Sequence, residues 1–282
     1  MGERLRWEER FFRRHLILPA EHGSWIWWIG PLVVGASAAG RVTHDLVWLS
    51  LAALAAFLLR QPLTIFIKIL SAPRDRRELL PALIWICLLG SIAIGSLAGL
   101  IAAGNARLLW LALPGVLVFA WHLILVCRRQ ERGQLGVELA AAGGLALAGP
   151  AAYWMAGGED QILPWLLCIF CWLQSAASIV SIYLRLDQRK LTYSPSVTQR
   201  WRMGRRTLIY HAFNLAAALL ASSFGMLPWL MTAAFALMLA DALEGVANPP
   251  IGRKPGIIGV RQLAASLLFF SISASGLAIG NV

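Results

Sequence analysis

Ionisable side chains inside long apolar runs are the first place to look for chemistry, because hydrocarbon tolerates them only where they pair, face a protein interior or line a pathway. Here they are Glu21 and His22; Arg60, Gln61 and Lys68; His122; Glu138; Tyr183, Arg185 and Asp187; Tyr210, His211 and Asn214; and Asp241 and Glu244. Asp241 and Glu244, at i and i+3, share a helix face. That spacing suits pairing with arginines inside a bundle, or alternatively a cation site. Arg60 precedes Lys68 by two turns and lies far from the next loop, which predicts an inward, paired Arg60 rather than one that snorkels to the interface. Cys168 and Cys171 have the spacing of a redox pair, yet both sit deep in an apolar run without a polar partner. They read as small buried hydrophobes. No P-loop, dinucleotide fingerprint or paired-histidine zinc spacing is present.

The elements that must position these residues follow from composition. The chain has 282 residues, 59% hydrophobic and 14% charged, whereas a soluble domain averages about 45–50% apolar and about 25% charged. This excludes a soluble enzyme. Four cysteines and 25 glycines without a period exclude disulfide frameworks and collagen-like chains. Nine charge-poor runs can be read as membrane-spanning helices: Ser24 to Ala39, Leu46 to Leu70, Leu79 to Ala103, Leu108 to Val126, Leu135 to Met155, Leu163 to Leu184, Thr207 to Phe224, Leu227 to Val246 and Ile258 to Ile279. Only helices or closed barrels satisfy their backbone groups in lipid. The predicted fold is therefore all-α, a polytopic bundle over residues 19–282 preceded by a cytoplasmic amphipathic arm over 1–18, on which Trp7 and Phe11 share one side.

Orientation comes from the basic residues, which outnumber acidic ones 25 to 14. With the N-terminus inside, every Lys and Arg except Arg41 and Arg107 falls in the arm, in the end of span two and its loop, or in the inside loops after spans four, six and eight. The positive-inside rule then predicts an N-in, C-out chain with an odd number of spans. The basic excess is mainly a topology signal, so no nucleic-acid partner is expected. In this orientation the out-of-place polar residues gather at the inner ends of the spans, describing a polar chamber open to the cytoplasm. The clustered Arg200 to Arg206 read as lipid-headgroup contacts.

Pro19-Ala20-Glu21-His22-Gly23-Ser24-Trp25, with Pro31 in the same span, resembles the opening of the YwiC-like family of bacterial integral membrane proteins. Similar features recur at Tyr183-Leu184-Arg185, Tyr210-His211 and Gly256-Ile257-Ile258-Gly259. The resemblance implies a multi-pass protein of the bacterial cytoplasmic (inner) membrane. A more distant resemblance is to UbiA-type intramembrane prenyltransferases, and it implies a nine-helix bundle with its site in the loops after helices two and six. In that superfamily, Asp-rich motifs there hold magnesium on a prenyl diphosphate. This chain instead has Lys68-Ile69-Leu70-Ser71-Ala72-Pro73-Arg74-Asp75-Arg76-Arg77 and Tyr183-Leu184-Arg185-Leu186-Asp187-Gln188-Arg189-Lys190. One Asp per loop among arginines does not supply the several oxygen ligands such ions need, so no metal or other cofactor is expected.

Guanidinium and ammonium groups can do for an anion what magnesium does. The resulting expectation is a cytoplasm-facing cavity that binds or processes an anionic isoprenoid or lipid-like substrate. Its binding residues are His22, Arg60, Lys68, Arg74, Tyr183, Arg185 and His211, with Glu21, Asp187, Asp241 and Glu244 as supporting carboxylates. Whether it catalyses a reaction stays open, and no catalytic residue is assigned. The expected partners are membrane lipids and an anionic amphipathic ligand. The alternatives are a transporter or permease-like protein, with Asp241, Glu244 and Glu138 as coupling sites, or a membrane subunit or assembly factor.

Overall fold

Each apolar run read from the sequence is helical in the computed structural model, which describes residues 13–18, 22–71, 76–130 and 133–280. In chain order the helices are α1 (Arg14–Ile17), α2 (Ile26–Ala39), α3 (His44–Leu70), α4 (Leu79–Ala102), α5 (Arg107–Cys127), α6 (Leu135–Ala146), α7 (Ala148–Met155), α8 (Leu163–Gln188), α9 (Val197–Ser223), α10 (Trp229–Ala247) and α11 (Pro255–Gly280). Among the described residues, seven helical stretches are long and apolar enough to cross a membrane: α3, the stretch ending in α4, α5, α6 with α7, α8, α10 and α11. Two predicted spans fall short on their own. Helix α2 has 14 residues, fewer than the about 20 that a bilayer needs. Helix α9 has 27 residues but begins ten residues before the apolar run and carries Arg200, Arg202, Arg205 and Arg206 in its first turns.

Local chemistry explains the boundaries. Ser196 and Gln199 form a reciprocal capping box, which satisfies two backbone donors and starts α9 early. The predicted fifth span is broken at Leu147, between α6 and α7. Pro150 follows three residues later, and its ring crowds the carbonyl of Ala146, so the helix breaks where a proline breaks it. Asp160 sits ahead of α8 and its Oδ1 accepts the N–H groups of Ile162 (2.6 Å) and Leu163 (2.9 Å). The Leu163 and Ile162 amides hold this carboxyl below the usual carboxylate range.

The helices form two compact units. One gathers α1, α3, α4, α5 and most of α6. There α3 and α4 pack along each other, Asn105 donates to Asp45 Oδ2 at 2.9 Å, and the fully buried Leu16 of α1 lies among them. His15 Nε2 and Arg13 reach Glu78 at 2.9 and 3.5 Å, and Gln61 donates to the His15 carbonyl.

The other unit gathers α2 and α7 to α11. Its central helix is α8: 67% of its membrane-length stretch is buried, against 11–22% in α3, α4 and α5. Helix α2 packs on α7 and α11, and Gly35 makes the first contact possible because a Cβ there would collide with the Gly149 carbonyl. An aromatic chain runs through the core from Phe170 to Phe235, Phe269 and Phe270, with successive ring centroids 5.8, 4.7 and 5.2 Å apart in edge-to-face geometry.

Candidate functional site

Five polar residues recur along α8 at Gln174, Ser178, Ser181, Arg185 and Gln188. The intervals of four, three, four and three place them on one face of the helix, and all five are buried. Two neighbours present matching stripes: Thr207, His211 and Asn214 on α9, and Gln262, Ser266 and Ser273 on α11. The stripes meet. Ser181 Oγ lies 3.0 Å from His211 Nε2, Asn214 Nδ2 donates to the Leu173 carbonyl at 2.9 Å, and Arg185 Nη1 donates to Gln262 Oε1 at 3.1 Å.

Charge is confined to one end of this seam. Arg185 is 3% exposed, and its Nη2 donates to Asp241 Oδ2 at 2.6 Å and to the Asp241 carbonyl at 3.1 Å. Gly245, one turn on from Asp241, gives the guanidinium room, since a Cβ there would lie 2.9 Å from Nη2. Arg261 reaches Asp241 Oδ1 from Nε and Nη2 at 3.1 and 2.7 Å and also pairs with Glu244. Two arginines thus face two carboxylates, and the network is neutral. The predicted pairing of Asp241 and Glu244 with arginines is therefore present, and it joins α8, α10 and α11.

Outside this network lies a cleft of about 190 Å³ lined by Arg185, Glu244, Asn248, Arg253, Ile258 and Arg261 among others. Beside it, the end of α8 is tied to the segment that leads into α11. Gly252 N–H donates to the Arg189 carbonyl at 3.0 Å, and Arg189 Nε donates to the Arg253 carbonyl at 3.1 Å. Neither Arg189 nor Arg253 has an ion pair among the described residues. Arg200 anchors the neighbouring loop. It donates to the carbonyls of Pro195 (2.9 Å) and Ala247 (2.7 Å) and to Ser194 Oγ (3.1 Å), so it ties the α8–α9 loop to the end of α10.

Behind the charge network, several polar groups stay unmatched. Ser181 Oγ donates to the Ala177 carbonyl, which assigns the shared proton with His211 to Nε2 and leaves Nδ1 an acceptor. That Nδ1, both side-chain heteroatoms of Gln188, Gln174 Oε1, Asn214 Oδ1 and Ser273 Oγ are buried without a hydrogen-bond partner among the described residues. Each such group left unmade costs about 1–3 kcal/mol.

The sequence-predicted residues divide among these places. Arg185, His211, Asp241 and Glu244 are brought together in one unit. Tyr183 is half-buried on α8 but off the polar stripe, and Asp187 is exposed and pairs with Lys190 at 2.8 Å. Arg60 and Lys68 are half-buried on α3 in the other unit. Glu21, Arg74 and the side chain of His22 lie outside the described residues. The sequence reading passed over Gln174, Ser178, Ser181, Gln188, Gln262, Ser266 and Ser273. Their four-and-three recurrence was the available signal, but uncharged side chains do not interrupt an apolar run as arginines do. No three His, Cys, Asp or Glu among the described residues stand close enough to hold a metal ion.

Residues 18–153 match the family model described as YwiC-like protein. The match takes in the Pro19 to Trp25 motif and ends before α8, so it does not cover the polar seam. No curated protein and no solved structure matches the chain.

Proposed function

We propose that this is a YwiC-like, multi-pass protein of the bacterial cytoplasmic membrane, with nine spans and its N-terminus inside, whose cytoplasmic mouth binds the anionic headgroup of an amphipathic ligand. The distribution of Lys and Arg supports the orientation, and the partial family match supports the affiliation. In the nine-span reading α2 and α9 cross as well, their short or polar stretches being covered by the helices packed on them.

The observation that carries the ligand reading is the pair formed by Arg253, which lines the cleft, and Arg189, which is hydrogen-bonded to its carbonyl. Gly252 N–H donates to the Arg189 carbonyl and the Arg189 side chain donates through Nε to the Arg253 carbonyl; neither arginine has a carboxylate partner among the described residues, while Arg185 and Arg261 are already neutralised. Two neighbouring arginines without carboxylate partners favour an anion, and guanidinium forks fit phosphate and carboxylate oxygens. This moves the expected anion contact from Arg185 itself to the arginines around it. Arg60 and Lys68, about 12 Å apart along one side of α3, give the first unit a basic face of its own.

Lipid extraction and native mass spectrometry of the gently purified chain test this reading. The Arg189→Ala/Arg253→Ala variant is expected to lose bound anionic amphiphile at least about tenfold, since each contact at a partly exposed mouth is worth about 1 kcal/mol. Arg41→Ala, at the opposite end of the chain's charge distribution, should leave it unchanged. Equal retention in the double variant and the wild type would refute the reading.

A further inference from the structure

The headgroup reading leaves open which anions the cleft accepts, and the charges that line the cleft narrow them. We propose that this cleft, where α8 and α10 end and α11 begins, admits a headgroup carrying a single negative charge, a phosphodiester, and that Glu244 sets this limit. The proposal rests on the headgroup reading and adds a selectivity to it.

Three arginines, Arg185, Arg253 and Arg261, and one carboxylate, Glu244, line the cleft. Asp241 is bonded to both Arg185 and Arg261, and Arg261 also pairs with Glu244. Three positive charges against two negative ones leave an excess of one, and Arg253 carries it. Arg189 is held at the Arg253 carbonyl and is not among the lining residues, so it adds to the attraction around the cleft and not to the charge inside it. Two helices meet the cleft with their carbonyl ends and α11 with its amide end. Their partial charges, about half a unit each, offset one another in part, and the side chains decide the count.

Size and polarity favour the diester. About 190 Å³ is the share of about six waters, room for a phosphodiester with the carbons that flank it. The apolar lining comes from two segments, Pro249 and Pro250 after α10 and Ile257 and Ile258 in the first turn of α11. A phosphodiester carries carbon on both sides of its anion and uses both. A terminal phosphate monoester carries carbon on one side and brings close to two charges near neutral pH, the second of which would face Glu244 without a cation to match it.

Glu244 is placed to set the limit. Its side chain is 44% exposed, against 22% for Asp241, and of the two carboxylates it alone lines the cleft. Without its charge Arg261 keeps both bonds to Asp241, and the excess in the cleft rises from one to two. Glutamine at this position keeps an oxygen for Arg261 and for Asn248 Nδ2.

The test places the full chain in dioleoylphosphatidylcholine nanodiscs containing equal amounts of dioleoylphosphatidylglycerol and dioleoylphosphatidic acid, and counts the retained lipids by native mass spectrometry. The acyl chains are identical, so only the headgroup differs. Wild type is expected to retain phosphatidylglycerol over phosphatidic acid by at least about threefold, the scale of one unmatched charge at a partly exposed site. Glu244→Gln should bring that ratio to one or below, and Arg253→Gln should lose the preference for phosphatidylglycerol over phosphatidylcholine. Lys254→Gln removes a charge one residue along, off the cleft lining, and should change neither ratio. Phosphatidic acid retained as well as phosphatidylglycerol by wild type, or an unchanged ratio in Glu244→Gln, would overturn the proposal and leave the headgroup reading standing. A loss in Lys254→Gln as large as in Arg253→Gln would overturn it too, by showing that the cleft is not what selects. Equal retention of all three lipids by wild type would refute the headgroup reading itself, and this inference with it. Glu244 and Arg253 are exposed, the melting temperature of each variant checks its fold, and the wild-type ratio decides without either.

Discussion

Removing the Asp241 carboxylate probes the charge network most directly. In Asp241→Ala, Arg185 loses its 2.6 Å partner while its side chain stays 4% exposed. Stripping one member from a buried pair costs about 3–5 kcal/mol, because the other charge is left without compensation. Arg185 keeps Gln262 Oε1, which places the loss at the lower end of that range. Arg261 also loses its contact, but its side chain is 41% exposed, and an exposed pair adds only about 0–1 kcal/mol. The expected total is about 3 kcal/mol, a fall in melting temperature of about 6–12 °C for a chain of this size, read by tryptophan fluorescence in detergent. The companion variant Arg185→Met/Asp241→Leu removes both charges and fills the same space, and it should recover at least about half of the loss. A fall of less than about 1 kcal/mol in Asp241→Ala would refute the reasoning. So would a double variant as unstable as the sum of its singles, since either result would mean that the pair is uncoupled.

Three further outcomes follow from local geometry. Gly35→Val forces a side chain against the Gly149 carbonyl and should cost about 3 kcal/mol or more in thermal unfolding, above the usual overpacking range because backbone cannot yield as a side chain does. Ser196→Ala removes the capping box of α9 and should cost about 1 kcal/mol, with faster hydrogen exchange confined to the first turns of α9. Asp160, whose folded-state pKa is depressed by the Leu163 and Ile162 amides, stabilises the start of α8 above the ordinary carboxylate range and loses that contribution as pH falls through its depressed value. Amide exchange at Ile162 and Leu163 should accelerate at low pH in the wild type and be insensitive to pH-driven loss of the cap in Asp160→Ala, after correction for intrinsic rates.

Much of the architecture was legible because lipid imposes a strict code. Long apolar runs have to become helices, and the runs from Leu46 to Leu70 and from Leu163 to Leu184 did so almost to the residue. The break at Leu147 was less visible, since Pro150 alone does not say whether a helix kinks or stops. The charged half of the site was legible too: Arg185, Asp241 and Glu244 stand out in apolar sequence, and the i, i+3 spacing announced a shared face. Its neutral half was not. A serine or glutamine inside an apolar run is ordinary, and only packing reveals that α8 meets polar side chains of both α9 and α11. Arg189 and Arg253 were equally hidden, because in sequence they are indistinguishable from the basic residues that set topology.

The polarity of α9 also bears on how the chain is made. Tyr210, His211 and Asn214 leave it too polar to be ranked with the seven strongly apolar stretches, and in the folded unit its hydroxyl and amide groups are met by later sequence and by α8: Ser222 Oγ bonds Thr232 Oγ1 at 2.7 Å, and Thr232 donates to the Ala218 carbonyl at 3.1 Å. Helix α9 is therefore expected to leave the translocon as a hairpin with α10 rather than singly. Nascent chains halted before Thr232 should keep α9 accessible to aqueous reagents, whereas chains long enough to contain α10 should bury it.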